Sequence, residues 1–191
     1  MKPLLIIGGS SFGRLIKVLA EEVGRKVAGH VDDLHTGDWI VGRSDDLGSR
    51  FTPSDVDLAM AIGYRHIDAR MTMFRRLTAM GFDFPNLTHP SARISPHASV
   101  GAGSLVMANA DIDAFSRVGE LCVLWPNVTV SHDNTIGEGT FISPAATLCG
   151  FVSIGAISFI GASATIVDNC VLAPRSFVKA ASRYNNRIAR T

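Results

Sequence analysis

The sequence has 191 residues and a formal net charge of +1; 47% of it is apolar, 18% charged and 7% aromatic. That length suits one or two domains with a sizeable core, and a near-neutral chain lacks the basic face that nucleic-acid binding needs. The first apolar run, Leu4 to Ile7, is too short for a signal-peptide core or a membrane span, so we expect a cytoplasmic protein without membrane insertion. Three cysteines without CxxC spacing predict neither disulfides nor a zinc cluster.

The first half of the chain alternates strands and helices, as a parallel α/β unit does. The apolar pattern predicts strands over 4–7, 27–31 and 58–62 and helices over 14–23 and 66–80. We therefore predict an α/β, Rossmann-like βαβ domain over residues 1–88.

A turn rich in glycine and serine, from Gly8 to Gly13, separates the first strand from the first helix. Such a turn can cradle an anion with free backbone N–H groups, but it lacks the spacing of GxGxxG and of a P-loop. The turn alone is equally consistent with nucleotide binding and with a plain tight turn. Asp32 and Asp33 follow the second strand, where open α/β sheets place ligand contacts, although adjacent carboxylates are often solvated loop residues.

Charge density falls sharply in the middle of the chain. Residues 1–93 carry 23 charged side chains, residues 94–183 carry 10, and the remainder carries 2. The step coincides with the loop-like stretch from Thr88 to Ala92. We place a domain boundary there, with a second domain over 89–183 and a C-terminal tail over 184–191.

The second domain repeats with a period of six. Every sixth residue from Ile94 to Val178, fifteen in succession, is Val, Ile or Leu, and four residues after each comes a small or β-branched residue, with Asn134 as the exception. Glycines at 18-residue spacing indicate three hexads, and so three faces, per coil: Gly101, Gly119, Gly137 and Gly155. Prolines fall only at the third hexad position, where a turn needs no ladder donor: Pro96, Pro126, Pro144 and Pro174. The pattern predicts a parallel β-helix of five coils.

His132 and Asp133 occupy the third and fourth positions of their hexad, at a corner that projects outward. A surface histidine is unremarkable by default, but the adjacent carboxylate can orient the ring and raise its basicity. Gly150 lies 18 residues on, one coil away and about 5 Å along the axis by strand spacing. Its backbone N–H can stabilise an oxyanion. The corner therefore predicts a general base beside an oxyanion donor, with no Ser or Cys nucleophile paired to the base.

These motifs together resemble one family: Gly8 to Gly13, Asp32-Asp33, Ala61-Ile62-Gly63, His89-Pro90-Ser91-Ala92, and the array with Ser131-His132-Asp133. They are similar to the sugar O/N-acyltransferases of the sialic-acid O-acetyltransferase type, in particular the hexapeptide-repeat nucleotide-sugar 4-amino N-acetyltransferases such as bacillosamine and perosamine acetyltransferases. The resemblance covers nearly the whole chain. It implies a left-handed β-helix, a homotrimer with each active site between two subunits, a place in glycan biosynthesis, and metal-free transfer from acetyl-CoA to a nucleotide-linked amino sugar.

The resemblance also implies site residues by position. The nucleotide sugar would be held by Ser10, Ser11, Phe12, Asp32, Asp33 and Gly63. His132 would be the general base, Asp133 its partner and Gly150 the oxyanion donor, while the acetyl-CoA site would be lined by Phe141, Ala162 and Ala180. Phe12 stands where the family often has His, and Phe141 where some members have His. These departures bear on sugar choice and on contacts to CoA, not on the chemistry.

Three other functions remain open at this point. The same base can activate a sugar hydroxyl, which gives O-acetylation of the sialic-acid type. A non-catalytic β-helix binding module would lose no activity on His132→Ala. A zinc-dependent β-helix of the gamma carbonic anhydrase type would need three histidine ligands, and the array contains only His97 and His132. The sequence does not select among UDP, dTDP, GDP and CMP as carriers.

Overall fold

Four parallel strands, in the order β3-β2-β1-β4, form the sheet of the N-terminal unit: β1 (Leu4–Ile7), β2 (Val27–Val31), β3 (Ile40–Gly42) and β4 (Asp57–Met60). All four residues of β1 are buried, as expected of an apolar strand covered on both faces. The strand order reverses at β1, so the carboxyl ends of β1, β2 and β4 meet where open parallel sheets bind ligands. The structure is a computed structural model and describes residues 1–186.

The connections contain two helices and two 3₁₀ turns: α1 (Ser11–Glu22), α2 (Ile67–Ala79), Ser44–Asp46 and Tyr64–His66. Helix α1 begins three residues before its predicted start, because Gly13 can enter the first turn where any Cβ would collide with the Gly8 carbonyl oxygen. The other predicted boundaries agree within two residues. Strand β3 was not predicted, since three half-buried residues are too few to show a period. Within residues 1–186, neither helix is long and apolar enough to cross a membrane.

The predicted β-helix is confirmed: the C-terminal unit, which begins at Thr88, is a parallel β-solenoid of about five coils, of the left-handed β-helix type. Every ladder pair joins residues 18 apart, as Thr129 with Thr147. Face A contains β7 (Ser99–Val100), β10 (Arg117–Val118), β13 (Thr135–Ile136), β16 (Ser153–Ile154) and β19 (Val171–Leu172). Face B contains β5 (Leu87–Thr88), β8 (Leu105–Val106), β11 (Val123–Leu124), β14 (Phe141–Ile142), β17 (Phe159–Ile160) and β20 (Phe177–Val178). Face C contains β6 (Arg93–Ile94), β9 (Asp111–Ile112), β12 (Thr129–Val130), β15 (Thr147–Leu148), β18 (Thr165–Ile166) and β21 (Arg183–Tyr184).

The axis of the solenoid is filled by the large aliphatic residue of each hexad. Thirteen of these fifteen side chains are buried, and only Ile94 and Val100, on the first coil, are half-buried. Full burial of a Val, Leu or Ile side chain contributes roughly 1.5–3 kcal/mol, so this stack is the main source of stability in the unit. Residues 187–191, within the predicted tail, lie outside the described residues.

The corners share one backbone conformation. Counting the large aliphatic residue as the first, the fourth residue of every hexad after the first has a positive φ, for example 59° at Asp133 and 60° at Phe151. This left-handed conformation costs a non-glycine residue roughly 1–2 kcal/mol, which is offset by a hydrogen bond to the preceding coil. The Asp133 N–H donates to the Ala114 oxygen, and the Phe151 N–H donates to the His132 oxygen. The backbone N–H of the third hexad residue makes no ladder hydrogen bond, which explains why proline is accepted at this position.

Thr140 is a weak point in this core, because its buried hydroxyl has no hydrogen-bond partner among residues 1–186. Such a group costs about 1–3 kcal/mol. We expect the nearly isosteric Thr140→Val to raise the free energy of unfolding by about 1 kcal/mol and Tm by about 2–4 °C. Ser158→Ala is the matched control with the opposite sign, since the Ser158 hydroxyl donates to the Gly155 oxygen at 2.8 Å. Thermal unfolding measures both, and a Thr140→Val protein less stable than the wild type would contradict the assignment.

Candidate active site

A pocket of about 360 Å³ lies at the carboxyl edge of the N-terminal sheet. Its lining is mostly apolar and comes from the ends of β1, β2 and β4 and from α2, and it includes Gly8, Asp32, Asp33, Ile62, His66 and Met73. Two of the predicted substrate residues, Asp32 and Asp33, therefore line one cavity. The pocket lies wholly within the N-terminal unit.

Asp32 holds the glycine turn. Its Oδ2 accepts a hydrogen bond from the Gly9 N–H at 2.5 Å, and its Oδ1 accepts from the N–H groups of Leu34 and His35 at 2.7 and 2.8 Å. Burial raises the pKa of this carboxyl, but the donors from His35, Gly9 and Leu34 outweigh burial and lower the pKa to about 2. The His35 ring adds a contact at 3.0 Å, so Asp32 has four donors and little remaining acceptor capacity. Asp32 thus shapes the pocket by fixing the turn.

Asp33 retains capacity for a ligand. Its Oδ1 accepts from the Ser44 N–H at 2.8 Å and its Oδ2 from the Ser44 hydroxyl at 2.7 Å, which leaves lone pairs on both oxygens. Ser44 orients this carboxylate at the pocket wall, and sequence reasoning missed it because it lies eleven residues away, at the start of a short 3₁₀ turn that was not predicted.

The other predicted substrate residues lie at the same sheet edge. Ser10 is the N-cap residue of α1, and Ser11 and Phe12 open its first turn; Gly63 precedes the 3₁₀ turn before α2. The first-turn N–H groups of a helix of this length attract anions. The imidazole of His30, which is almost fully buried, contacts the Gly8 oxygen at 2.9 Å through Nδ1 and so supports the turn from below. His30 carried no signal in the sequence, because a histidine inside an apolar strand is an ordinary core residue.

His132 and Asp133 form a hydrogen-bonded pair at the corner between faces C and A. The His132 Nδ1–H donates to Asp133 Oδ2 at 2.9 Å, and both side chains are partly exposed. The left-handed backbone of Asp133 turns its carboxylate toward the preceding ring. Because the carboxylate accepts from Nδ1, the lone pair of the neutral imidazole lies on Nε2, which is the atom that a general base needs.

Gly150 packs directly against this imidazole. A Cβ on Gly150 would lie 2.8 Å from His132 Cε1 and 2.9 Å from Nε2, so no larger residue fits without moving the ring. Gly150 occupies the third hexad position, where the ladder uses no N–H, and within residues 1–186 its N–H has no hydrogen-bond partner. The Phe151 ring contacts the His132 ring edge-on, with centroids 5.0 Å apart. The imidazole is therefore held on three sides, with Nε2 close to Gly150, a residue whose backbone donor is unused.

The predicted acetyl-CoA residues lie elsewhere on the solenoid. Ala162 and Ala180 stack on adjacent coils at the corner between faces B and C, where the Ala181 N–H donates to the Ala162 oxygen at 2.8 Å. Phe141 is buried on face B and pairs in register with Phe159. Face C separates the alanine corner from the corner of His132. In the described residues, no three His, Cys, Asp or Glu side chains converge as metal ligands would.

Solved structures similar to this chain are sugar acetyltransferases. The acetyltransferase domain of PglB from Neisseria gonorrhoeae matches with a TM-score of 0.90 and 28% identity, covering 99% of this chain and 94% of that one. The same domain in complex with acetyl coenzyme A matches with a TM-score of 0.77 and 27% identity, over 95% and 97% of the two chains. A mutant perosamine N-acetyltransferase from Caulobacter crescentus, in complex with CoA and GDP-perosamine, matches with a TM-score of 0.75 and 26% identity, over 90% and 91%. No protein-family model and no curated protein sequence matches the chain.

The fold and these neighbours define the class: the chain is an acyltransferase built on a hexapeptide-repeat solenoid. Its similarity to the hexapeptide-repeat sugar N-acetyltransferases, predicted from the sequence, is confirmed.

The depressed pKa of Asp32 predicts a pH-dependent contribution to stability. Because its folded-state pKa is lowered from 3.8 to about 2, ionised Asp32 stabilises the fold above pH 3.8, and this stabilisation is lost as the pH falls toward about 2. We expect Asp32→Asn to be less stable than the wild type at neutral pH, with the difference shrinking over that window in urea unfolding. Asp38→Asn, which removes an exposed carboxylate of the same loop, is the control. A difference that does not change with pH would refute the assignment.

Gly150→Ala should displace the His132 ring while leaving the solenoid folded. Ala114 occupies the same corner position two coils earlier, so alanine itself is compatible with this backbone. A misplacement of about 1 Å can cost about 10²-fold in rate, and we expect a loss of that order in acyl-transfer turnover. Any loss of thermal stability should disappear when Gly150→Ala is combined with His132→Ala, because the colliding ring is then absent. Wild-type turnover in Gly150→Ala would exclude this role for the glycine.

Proposed function

We propose that the protein transfers the acetyl group of acetyl-CoA to the 4-amino group of a nucleotide-linked amino sugar. The observation that carries the proposal is the packing of the His132 imidazole, Nε2 included, against Gly150, whose backbone N–H has no partner in residues 1–186, with Asp133 holding the opposite ring nitrogen. The similar structures add support, since one contains acetyl coenzyme A and another contains CoA with GDP-perosamine.

In the proposed reaction, the neutral amine of the sugar attacks the thioester carbonyl carbon. The new C–N bond forms while the carbonyl π electrons move to oxygen, and the Gly150 N–H donates a hydrogen bond to that oxyanion. His132 Nε2 takes the ammonium proton from the tetrahedral intermediate, and Asp133 stabilises the resulting imidazolium. When the intermediate collapses, the C–S bond breaks and the CoA thiolate leaves with the bonding pair. His132 then returns the proton to the thiolate, so that no acyl-enzyme forms.

The N-terminal unit supplies the features that a nucleotide needs, and we interpret it as a Rossmann-like binding domain. The mostly apolar pocket suits the flat face of a base, and Asp33 has acceptor capacity for N–H or O–H groups of the nucleotide. The first turn of α1, with Ser10, Ser11 and Phe12, offers N–H groups to the diphosphate. As the resemblance implies, we assign Gly63 to the nucleotide-sugar site and Phe141, Ala162 and Ala180 to the acetyl-CoA site. The resemblance also implies a cytoplasmic homotrimer with each active site between two subunits, and we include both in the proposal.

The test is incubation with acetyl-CoA and a panel of UDP-, dTDP-, GDP- and CMP-linked sugars carrying either a 4-amino or a 4-hydroxy group, with products identified by mass. We expect a mass gain of one acetyl group on an amino sugar. A positioned general base contributes typically 10²–10⁴-fold, so His132→Ala should lose turnover in that range. His97→Ala, which removes the other histidine of the array, is the matched control and should retain full turnover.

Each outcome of this experiment separates the candidate functions. Acetylation of hydroxy sugars alone would replace N-transfer by O-transfer at the same base. Absence of any acetylated product, or an equally active His132→Ala, would refute the proposal and favour a non-catalytic binding module.

A further inference from the structure

Asn134 is the one residue that breaks the small-residue series of the solenoid, and it lies two residues after the proposed base. Its side chain is fully buried in the core under the corner of His132. A buried amide must satisfy both its oxygen and its nitrogen, or it costs free energy that a small apolar residue would not cost. The position therefore requires a physical reason for the amide.

Both ends of the amide are hydrogen-bonded, and its partners lie on two successive coils. The Asn134 Nδ2 donates to the Ser131 oxygen at 2.8 Å, and its Oδ1 accepts from the Val152 N–H at 2.6 Å. These partners fix the orientation of the amide, because only the nitrogen can face a carbonyl and only the oxygen can face an N–H. The Ser116 hydroxyl, one coil earlier, donates to the same Ser131 oxygen at 2.6 Å and accepts from the Asn134 N–H at 3.1 Å.

These partners flank the proposed catalytic groups. The Ser131 carbonyl belongs to the peptide unit that contains the His132 nitrogen, so holding this oxygen holds the backbone from which the imidazole projects. Val152 follows Gly150 by two residues and anchors the coil that supplies the oxyanion donor. The amide thus connects the coil of the base to the coil of the donor through the interior of the solenoid.

We infer that Asn134 is a positioning residue: its buried amide sets the separation between His132 Nε2 and the Gly150 N–H, an inference that rests on the proposed function of these two groups. It touches neither substrate. It acts only through the relative position of the base and the oxyanion donor. Catalysis that needs both groups at once is sensitive to shifts of about 1 Å in that position.

Ser158 provides a matched position at a corner without a base. Its hydroxyl donates to the Gly155 oxygen at 2.8 Å and accepts from the Ser176 N–H at 3.2 Å. These partners lie three residues before and 18 residues after Ser158. The partners of Asn134, Ser131 and Val152, have the same spacing. Ser158→Ala therefore removes the same kind of link between coils, at similar burial, away from His132.

The test compares Asn134→Val, Asn134→Ser and Ser158→Ala in the full chain. Valine occupies the same series position at Val128 and Val152, so the core accepts it. We expect Asn134→Val to lower kcat by about tenfold to a hundredfold with little change in the KM of either substrate, because ground-state contacts are kept. Asn134→Ser should restore most of the lost kcat, since one hydroxyl can serve both partners as Ser158 does. Ser158→Ala should lose stability but keep its kcat.

A second readout does not depend on turnover. In the ligand-free protein, Asn134→Val should shift the imidazole ¹⁵N and ¹³C resonances of His132, and Ser158→Ala should leave them in place. Unchanged His132 resonances in Asn134→Val would overturn the inference, as would a kcat equal to that of the wild type or a loss of kcat matched by Ser158→Ala. If the wild type itself acetylates no sugar, the proposed function fails, while the resonances still decide whether Asn134 positions the ring.

Discussion

The pairing of each residue with the residue 18 positions later is the constraint on which the C-terminal unit depends. A coil of three hexads returns the chain to the same face, so that identical positions stack and their backbone groups pair in parallel ladders, as Thr129 does with Thr147 and then Thr165. The large aliphatic residue of each hexad then falls on the axis, and the fourth residue of every hexad after the first falls at a corner in the left-handed conformation. A one-residue shift in this register would take the aliphatic residue of every later hexad off the axis.

The same stacking builds the candidate active site. A solenoid corner has an N–H that the ladders do not use, and proline occupies this position at four of the corners. At Gly150 the N–H remains, and the absence of a side chain admits the imidazole of His132 from the preceding coil. The left-handed turn at Asp133 adds the carboxylate. Base, partner and oxyanion donor therefore arise from three ordinary corner positions, with the buried amide of Asn134 connecting their coils.

In the N-terminal unit, the corresponding constraint is the fixed conformation of the glycine turn at the edge of the sheet. Asp32 uses its full acceptor capacity on the turn and on its own loop, and the buried ring of His30 supports the turn from the sheet. The neighbouring Asp33 is held by Ser44 alone and remains available. Two adjacent carboxylates that look equivalent in the sequence thus have separate tasks, because their surroundings differ in the number of donors.

By itself, the sequence determined the solenoid, its period, its strands and the corner that carries His132, because each of these follows from local patterns that repeat at fixed spacing. It also indicated the parallel sheet and the edge where Asp32 and Asp33 lie. Only the tertiary structure decided which groups meet across long separations: Ser44 on Asp33, His30 under Gly8, Phe151 against His132, and the amide of Asn134 between Ser131 and Val152. Periodicity shows which face a residue occupies, but hydrogen-bond partners depend on distances of a few tenths of an ångström, which no spacing along the chain specifies.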